Sequence, residues 1–322
     1  MHEVLRLAAC VAGIAGLVAE PASAQTFPTK PIRIIVPFAP GGGNDLVGRL
    51  YAARMSESFA QAVYVENRAG AGGNIGAELT ARAPADGYTL MLASSSMAVS
   101  ATFYPRLTYS PTQDLTALAL VGGSALVLVA HPSVPVRSVK ELVALSKKRK
   151  GGLNFGSNGS GSVSHLSGVL LNDVANIDIT HIPYKSAGAV SSALVGGEVD
   201  LGFPSAVSAK PFVRAGKLRA LAVTTARPSS ALPDVPSLAA VFPGFDTEAW
   251  WGFFVPAGTP APILDRLNAE IRKAHGSPEM RAAIAREGAE AVWQGPAEFP
   301  AFFRREVDKY ARLVKLSGAK AE

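Results

Sequence analysis

Along the chain, short runs of β-branched and apolar residues alternate with segments whose apolar positions recur at helical spacing. Gly, Pro, Asn or Asp punctuates each junction. Ile32–Phe38 reads as a strand, Asn44–Ser58 as a helix, Val63–Asn67 as a strand, Asn74–Ala83 as a helix and Thr89–Ala93 as a strand. That βαβαβ order implies a parallel sheet with right-handed crossovers. The alternation then restarts. Leu126–Ala130 reads as a strand, Ser138–Lys148 as a helix, Leu153–Phe155 as a strand, Ser162–Val174 as a helix and Ile179–Pro183 as a strand; Ala187–Gly196 follows as a helix, then Val199–Phe203 and Leu218–Thr224 as strands.

Two α/β units in series fit this pattern better than one long sheet. Leu115–Val121, with Gly122-Gly123 at its end, reads as a strand crossing between them with a flexible exit. A second crossing falls near Pro243–Val255, where Pro, Gly and the pair Trp250-Trp251 interrupt the alternation. Only helices follow, roughly Ile263–Ala274, Pro278–Arg286 and Pro296–Leu316, and with no sheet of their own they are expected to bury their apolar faces on the first unit. The expected division is residues 25–124 with 252–322 as domain 1 and 125–251 as domain 2, with a ligand cleft between them.

The first 24 residues stand apart. Met1–Arg6 is a weakly basic start, Leu7–Ala19 an apolar run of 13, and Ala22-Ser23-Ala24 a cleavage site of the A-x-A kind. A bilayer takes roughly 20 residues, so export with cleavage after Ala24 is the reading. Leu7-Ala8-Ala9-Cys10 resembles a lipoprotein box, but its apolar stretch lies mostly after the cysteine instead of before it. No later segment reaches 18 apolar residues without a charge or turn former, so an exported, soluble mature chain is expected.

Composition narrows the function. The chain of 322 residues is 48% hydrophobic and 17% charged, which excludes a charged disordered chain. Of its Lys+Arg 31 and Asp+Glu 25, cleavage removes one arginine and two acids, Arg6, Glu3 and Glu20, leaving 30 against 23 and a balance of +7. Cys10, the only cysteine, goes as well, so neither disulfide nor thiol chemistry is expected. The positive balance favours an anionic ligand but is too evenly spread for nucleic acid. Lys147-Lys148-Arg149-Lys150 reads as a solvated helix end, where cations complement the dipole.

Two loops at strand–helix junctions are rich in glycine: Pro40-Gly41-Gly42-Gly43-Asn44-Asp45, and Gly156-Ser157-Asn158-Gly159-Ser160-Gly161-Ser162. Ligands of parallel α/β sheets bind beyond the carboxyl ends of the strands, and a glycine loop at a helix N-terminus lets backbone N–H groups meet an oxyanion. Either loop alone could be no more than a tight turn; one in each unit suggests a clamp. Asp45 either complements the helix dipole or meets an amine, ring N–H or water on the ligand. Asn74, after Gly70-Ala71-Gly72-Gly73, either caps its helix or donates to the cleft. Ser94-Ser95-Ser96 offers hydroxyls at the same edge, and His165 is either a satisfied core residue or a ligand contact.

Catalytic readings fare worse. Gly41-x-Gly43-x-x-Leu46 departs from a dinucleotide fingerprint at Leu46, although Glu66 stands where a ribose-binding acid would, and an exported chain without twin arginines is not expected to carry a nucleotide cofactor. Ser160 and His165 could be imagined as nucleophile and base, but no acid is placed by the sequence to orient the histidine. The five histidines show no i, i+4 pair and the mature chain has no thiolate, so no zinc site is expected; with no G-x-S-x-G, Walker A, H-E-x-x-H or EF-hand pattern, no other cofactor and no enzymatic activity are expected either.

Six segments together resemble the Bug family, the solute receptors of tripartite tricarboxylate transporters, over nearly the whole mature chain. They are Ile35–Asp45 with Arg49, Val65–Arg68 with Gly70–Asn74, Ala85–Leu90, Phe155–Ser162 with His165-Leu166, His181–Lys185 and Leu232–Pro236. The resemblance implies a two-domain type II periplasmic binding-protein fold, each domain a mainly parallel sheet flanked by helices. It implies closure on a small organic carboxylate or related aromatic or amide solute, and a monomer that delivers this solute to integral-membrane transporter subunits. A receptor read by a membrane sensor kinase is the alternative. Carried over by motif, the ligand contacts are Phe38, Gly42, Gly43, Asn44 and Asp45 from one side and Asn158, Gly159, Ser160 and His165 from the other, with Asn74, Ser94 and Ser205 by loop position. Asn44 replaces a common threonine, Ser186 a usual glycine, and Pro236–Ala240 lacks the usual threonine and glutamate, so no member's ligand is transferred.

Overall fold

The computed structural model describes residues 27–319 except 42, 150, 287 and 288. The proposed leader and Gly42 therefore lie outside the described residues. The first half of the chain runs β1 (Ile32–Val36), α1 (Gly43–Phe59), β2 (Val63–Asn67), α2 (Asn74–Ala81), β3 (Thr89–Ser94), α3 (Ser96–Phe103), β4 (Leu115–Ala125), β5 (Val127–Ala130) and α4 (Val139–Lys148). The second half runs β6 (Asn154–Ser157), α5 (Val163–Ala175), β7 (Thr180–Pro183), α6 (Ala187–Gly196), β8 (Leu201–Gly202), α7 (Ala206–Arg214), β9 (Arg219–Val223), β10 (Glu248–Pro256), α8 (Ala261–His275), α9 (Pro278–Arg286) and α10 (Phe299–Ser317).

The strands form two five-stranded sheets, ordered β2-β1-β3-β10-β4 and β7-β6-β8-β5-β9. In the first, β1 pairs in parallel with β2 and β3, while β10 lies antiparallel between β3 and β4. In the second, β6 pairs in parallel with β7 and β8, while β5 lies antiparallel between β8 and β9. Each sheet thus has four strands running one way and a single reversed strand, and that reversed strand is the one the chain supplies after crossing from the other sheet. Helices flank both sheets, which is why β1, apart from Arg33, and the centre of β3 read as apolar runs without alternation: a strand covered on both faces has no solvent side to mark.

The crossings are held at one buried point. Thr224 is fully buried; its amide donates to the Leu126 carbonyl at 2.9 Å, its hydroxyl donates to the Thr247 carbonyl at 2.6 Å, and the Leu126 amide donates to the same hydroxyl at 3.1 Å. Thr247 returns a bond from its amide to the Thr224 carbonyl at 3.0 Å.

Four sequence expectations change. The Gly122-Gly123 exit is not a loose end but part of β4, which runs to Ala125 with bulges against β10. A Cβ on Gly122 would stand 3.0 Å from the Trp251 ring, so glycine is needed there for close packing. Helix α3 was not legible because all of Met97–Ser100 is buried and no polar stripe marks a period. Helix α7 was hidden by Pro211 in its interior, a residue that usually ends helices. Among the last helices, α8 and α9 pack on α1, but α10 lies on α3 and also reaches α5 of the second sheet, where Arg312 pairs with Asp173 at 3.3 Å.

Trp250 on β10 anchors α10. It is fully buried against Phe299, Phe302 and Phe303, and its indole N–H donates to Glu306 at 2.9 Å. Replacing it with alanine opens a cavity and removes one of the two partners of a buried carboxylate, which keeps Lys309. Trp250→Ala should therefore cost about 3–5 kcal/mol of stability in chemical denaturation, and a loss under about 1 kcal/mol would mean the cluster does not anchor the helix.

Candidate functional site

The carboxyl ends of β1 and β3 carry the loops at residues 37–45 and 94–96, and those of β6 and β8 carry the loops at 157–162 and 203–205. Helix α1 starts at Gly43, so the N–H groups of Gly43, Asn44 and Asp45 belong to its first turn, where no intrahelical acceptor exists. Asp45 is 3% exposed and both its oxygens are engaged. One accepts from the Gly41 amide at 2.9 Å and from Arg49 Nε at 3.1 Å; the other accepts from Asn67 Nδ2 at 2.9 Å and pairs with Arg49 Nη2 at 3.0 Å. Burial pushes its pKa up, but the bonds from Arg49, Gly41 and Asn67 prevail and hold the carboxyl below its ordinary value. Asn67 also donates to the Phe38 carbonyl at 3.1 Å, so β2 fastens both ends of this loop. The side-chain nitrogen of Asn44 is buried without a hydrogen-bond partner among the described residues.

The second loop is built differently. Its amides already have acceptors: Asn158 N donates to Ser164 Oγ, Gly159 N to Ser157 Oγ and Gly161 N to His165 Nδ1, each at 3.1 Å. Gly159 and Gly161 have φ of 109° and 78°, the left-handed region that favours glycine. Ser162 caps α5 by accepting from the His165 amide at 3.2 Å. Asn158 and Ser160 are exposed on the crest of the loop, whereas His165 is 5% exposed beneath it.

The remaining expected residues divide. Ser94 and Ser205 stand at strand ends, Ser94 3.0 Å from the Ser96 hydroxyl and Ser205 as the cap of α7. Asn74 is turned inward: it donates to the Ala71 carbonyl at 2.7 Å, accepts from Tyr109 at 2.8 Å, and is 8% exposed.

Sequence reasoning gave no site role to Phe103, Tyr104 or His181, although His181 opens one of the segments that carry the Bug resemblance. Tyr104 lies over Gly72, where a Cβ would sit 2.7 Å from its hydroxyl, and Phe103 lies over Gly161, where a Cβ would sit 2.7 Å from its ring. The two rings touch edge to face, so this aromatic pair joins the glycine loop before α2 to the second-sheet loop. Its signal was the pair of tight glycines, not any feature of the aromatics. His181 stacks on His165 with ring centroids 3.9 Å apart. Among the described residues, no group of three or more His, Cys, Asp or Glu could hold a metal ion.

Outside the crossing strands lies a cavity of about 350 Å³, lined by Arg227, Asp246, Glu248 and Glu290 among others. Glu290 accepts from Ser229 Oγ at 3.0 Å and the Ser230 amide at 2.8 Å, tying the segment after β9 to the segment before α10.

This is a two-sheet α/β receptor with the architecture of periplasmic binding proteins. Residues 47–318 match the tripartite tricarboxylate transporter family receptor model, and the chain belongs to that family of periplasmic solute-binding proteins. It is 38% identical to the protein BugT of Bordetella pertussis over 94% of each chain, in line with the Bug resemblance. A Rhodopseudomonas palustris (R. palustris) protein solved with adipate is 32% identical, with a TM-score of 0.75 over 91% of this chain and 99% of that one. A ligand-free TctC solute-binding protein from Polaromonas is 27% identical, with a TM-score of 0.82 over 90% and 99%.

Buried titratable groups give the fold a pH signature. Burial lowers His165, His181 and His275 to about 4, His165 further through His181 and His275 through Arg281. Their stabilisation is present above the ordinary value of 6.5 and is lost as pH falls through about 4. Glu248 is raised to about 7 by burial first, then by Asp246, Glu306 and Glu290 against Lys309. Its contribution is present below 4.5 and is lost as pH rises through about 7, so it opposes the histidines. The melting temperature should fall from pH 6.5 to 4.5. Glu248→Gln should raise it at pH 7.5 and steepen the fall; an unchanged profile would show that Glu248 is ordinarily ionised.

Proposed function

We propose that the chain captures a small organic carboxylate between two lobes, residues 25–124 with 252–322 and residues 125–251, and hands it unchanged to integral-membrane transporter subunits. The observation that carries this is the start of α1: its first-turn N–H groups and positive dipole end lie directly after β1, while the one acid beside them, Asp45, is bound by Arg49, Asn67 and Gly41. An anion meets donors there, and no free carboxylate repels it. Charge-assisted hydrogen bonds contribute about 1.5–3 kcal/mol each, so three supply a good part of the roughly 8 kcal/mol of micromolar binding.

Adipate in the R. palustris neighbour supports a carboxylate as the ligand class. Bending at the Thr224 junction would bring the loops together around the solute. Export with cleavage after Ala24 and action as a monomer complete the proposal.

A thermal-shift panel of mono-, di- and tricarboxylates on the mature protein tests it. A solute at 100 times its Kd stabilises by about 2.7 kcal/mol, a rise of several degrees, and should be recovered chemically intact. Gly43→Val, which adds bulk at the start of α1, should abolish the rise while leaving the unliganded melting temperature nearly unchanged. An undiminished rise in that variant, or turnover of the bound solute, would sink the proposal.

A further inference from the structure

We propose that His181, on β7 beside the second glycine loop, is a positioning residue that sets the shape of that loop for capture. The inference rests on the two-lobe reading above and goes beyond it, because His181 itself is placed to meet the loop's supports and not the solute.

The register puts His181 directly beside Phe155 of β6. From there His181 Nε2 reaches Ser157 Oγ at 2.6 Å, and its ring stacks on His165, with Phe155 tilted beside it at 5.1 Å between centroids. Ser157 and His165 accept from the amides of the left-handed glycines, and Ser162 Oγ also donates to the Gly159 carbonyl at 2.7 Å. Ser157 Oγ accepts from the Gly159 amide at 3.1 Å and donates to the Gly159 carbonyl at 3.2 Å; His165 Nδ1 accepts from the Gly161 amide at 3.1 Å.

The Ser157 hydroxyl has one hydrogen; directed to the Gly159 carbonyl, it leaves His181 Nε2–H as the donor to Ser157, and the His181 variants test that tautomer. His165 accepts at Nδ1, so in its neutral form the proton sits on Nε2. His165 is therefore neutral. The burial that lowers both their pKa values agrees with this arrangement, since two imidazolium faces 3.9 Å apart would repel. His181 thus supports Gly159 through Ser157 and Gly161 through His165, two points on either side of the exposed Ser160.

The experiment uses mature protein and the variants His181→Phe and His181→Gln. Phenylalanine keeps a stacking ring and removes the donor; glutamine keeps a donor at the position of Nε2 and removes the stack. Amide hydrogen exchange at Gly159 and Gly161 is followed by NMR, with amides of β1 and α4 as internal references, and adipate and malate are titrated by calorimetry. In His181→Phe, the Gly159 amide should exchange about tenfold faster, and any affinity wild type shows should fall about tenfold, the size of one lost hydrogen bond. His181→Gln should return Gly159 exchange close to wild type. Equal exchange in all three proteins, or faster exchange that extends equally to β1 and α4, would overturn the role assigned to His181. If wild type binds neither dicarboxylate, that counts against the capture of such acids, and the exchange data still decide whether His181 holds the loop.

Discussion

The two crossings between the sheets are the constraint on which the rest of the molecule depends. Wherever a strand leaves one sheet for another, backbone donors and acceptors lose their ladder, and in a buried position that loss must be made good. Here the repair falls to Thr224, whose amide, carbonyl and hydroxyl bind Leu126 and Thr247 in one enclosed knot. The Thr247 hydroxyl extends the knot to Ser167 on α5 at 2.7 Å. The two connections are thus joined to each other where they pass.

Around this junction the loops are not equivalent. The first offers the open end of a 17-residue helix, with its acid neutralised from within the same lobe. The second has turned its amides toward Ser157, Ser164 and His165, leaving Asn158 and Ser160 outermost. Such a division fits a receptor in which one lobe supplies charge stabilisation and the other supplies shape. Neither loop contains an arginine or lysine, and a helix end brings positive potential without a mobile cation.

Strand and helix order, the restart after β3, the two crossings and both glycine loops were legible in the sequence, because each is a local matter of period and punctuation. Helices α3 and α7 were not, since one is buried all round and the other contains a proline. At the candidate site, the chain position of Gly43, Asn44, Ser160 and His165 could be read, but the direction of each side chain could not. Asn74 illustrates the difference: a loop asparagine by sequence, it is bonded to Ala71 and Tyr109 and is 8% exposed.

The sequence by itself determined the family, the α/β class and the two glycine loops at strand–helix junctions, since glycine, apolar period and motif order all act over a few neighbouring residues. Only the tertiary structure decided which donors remain available. It inserted β10 and β5 in reverse, bound Asp45 to Asn67 across 22 residues and laid His181 on His165 from another strand. Those choices come from packing and hydrogen-bond satisfaction between segments far apart along the chain, and no local pattern encodes them.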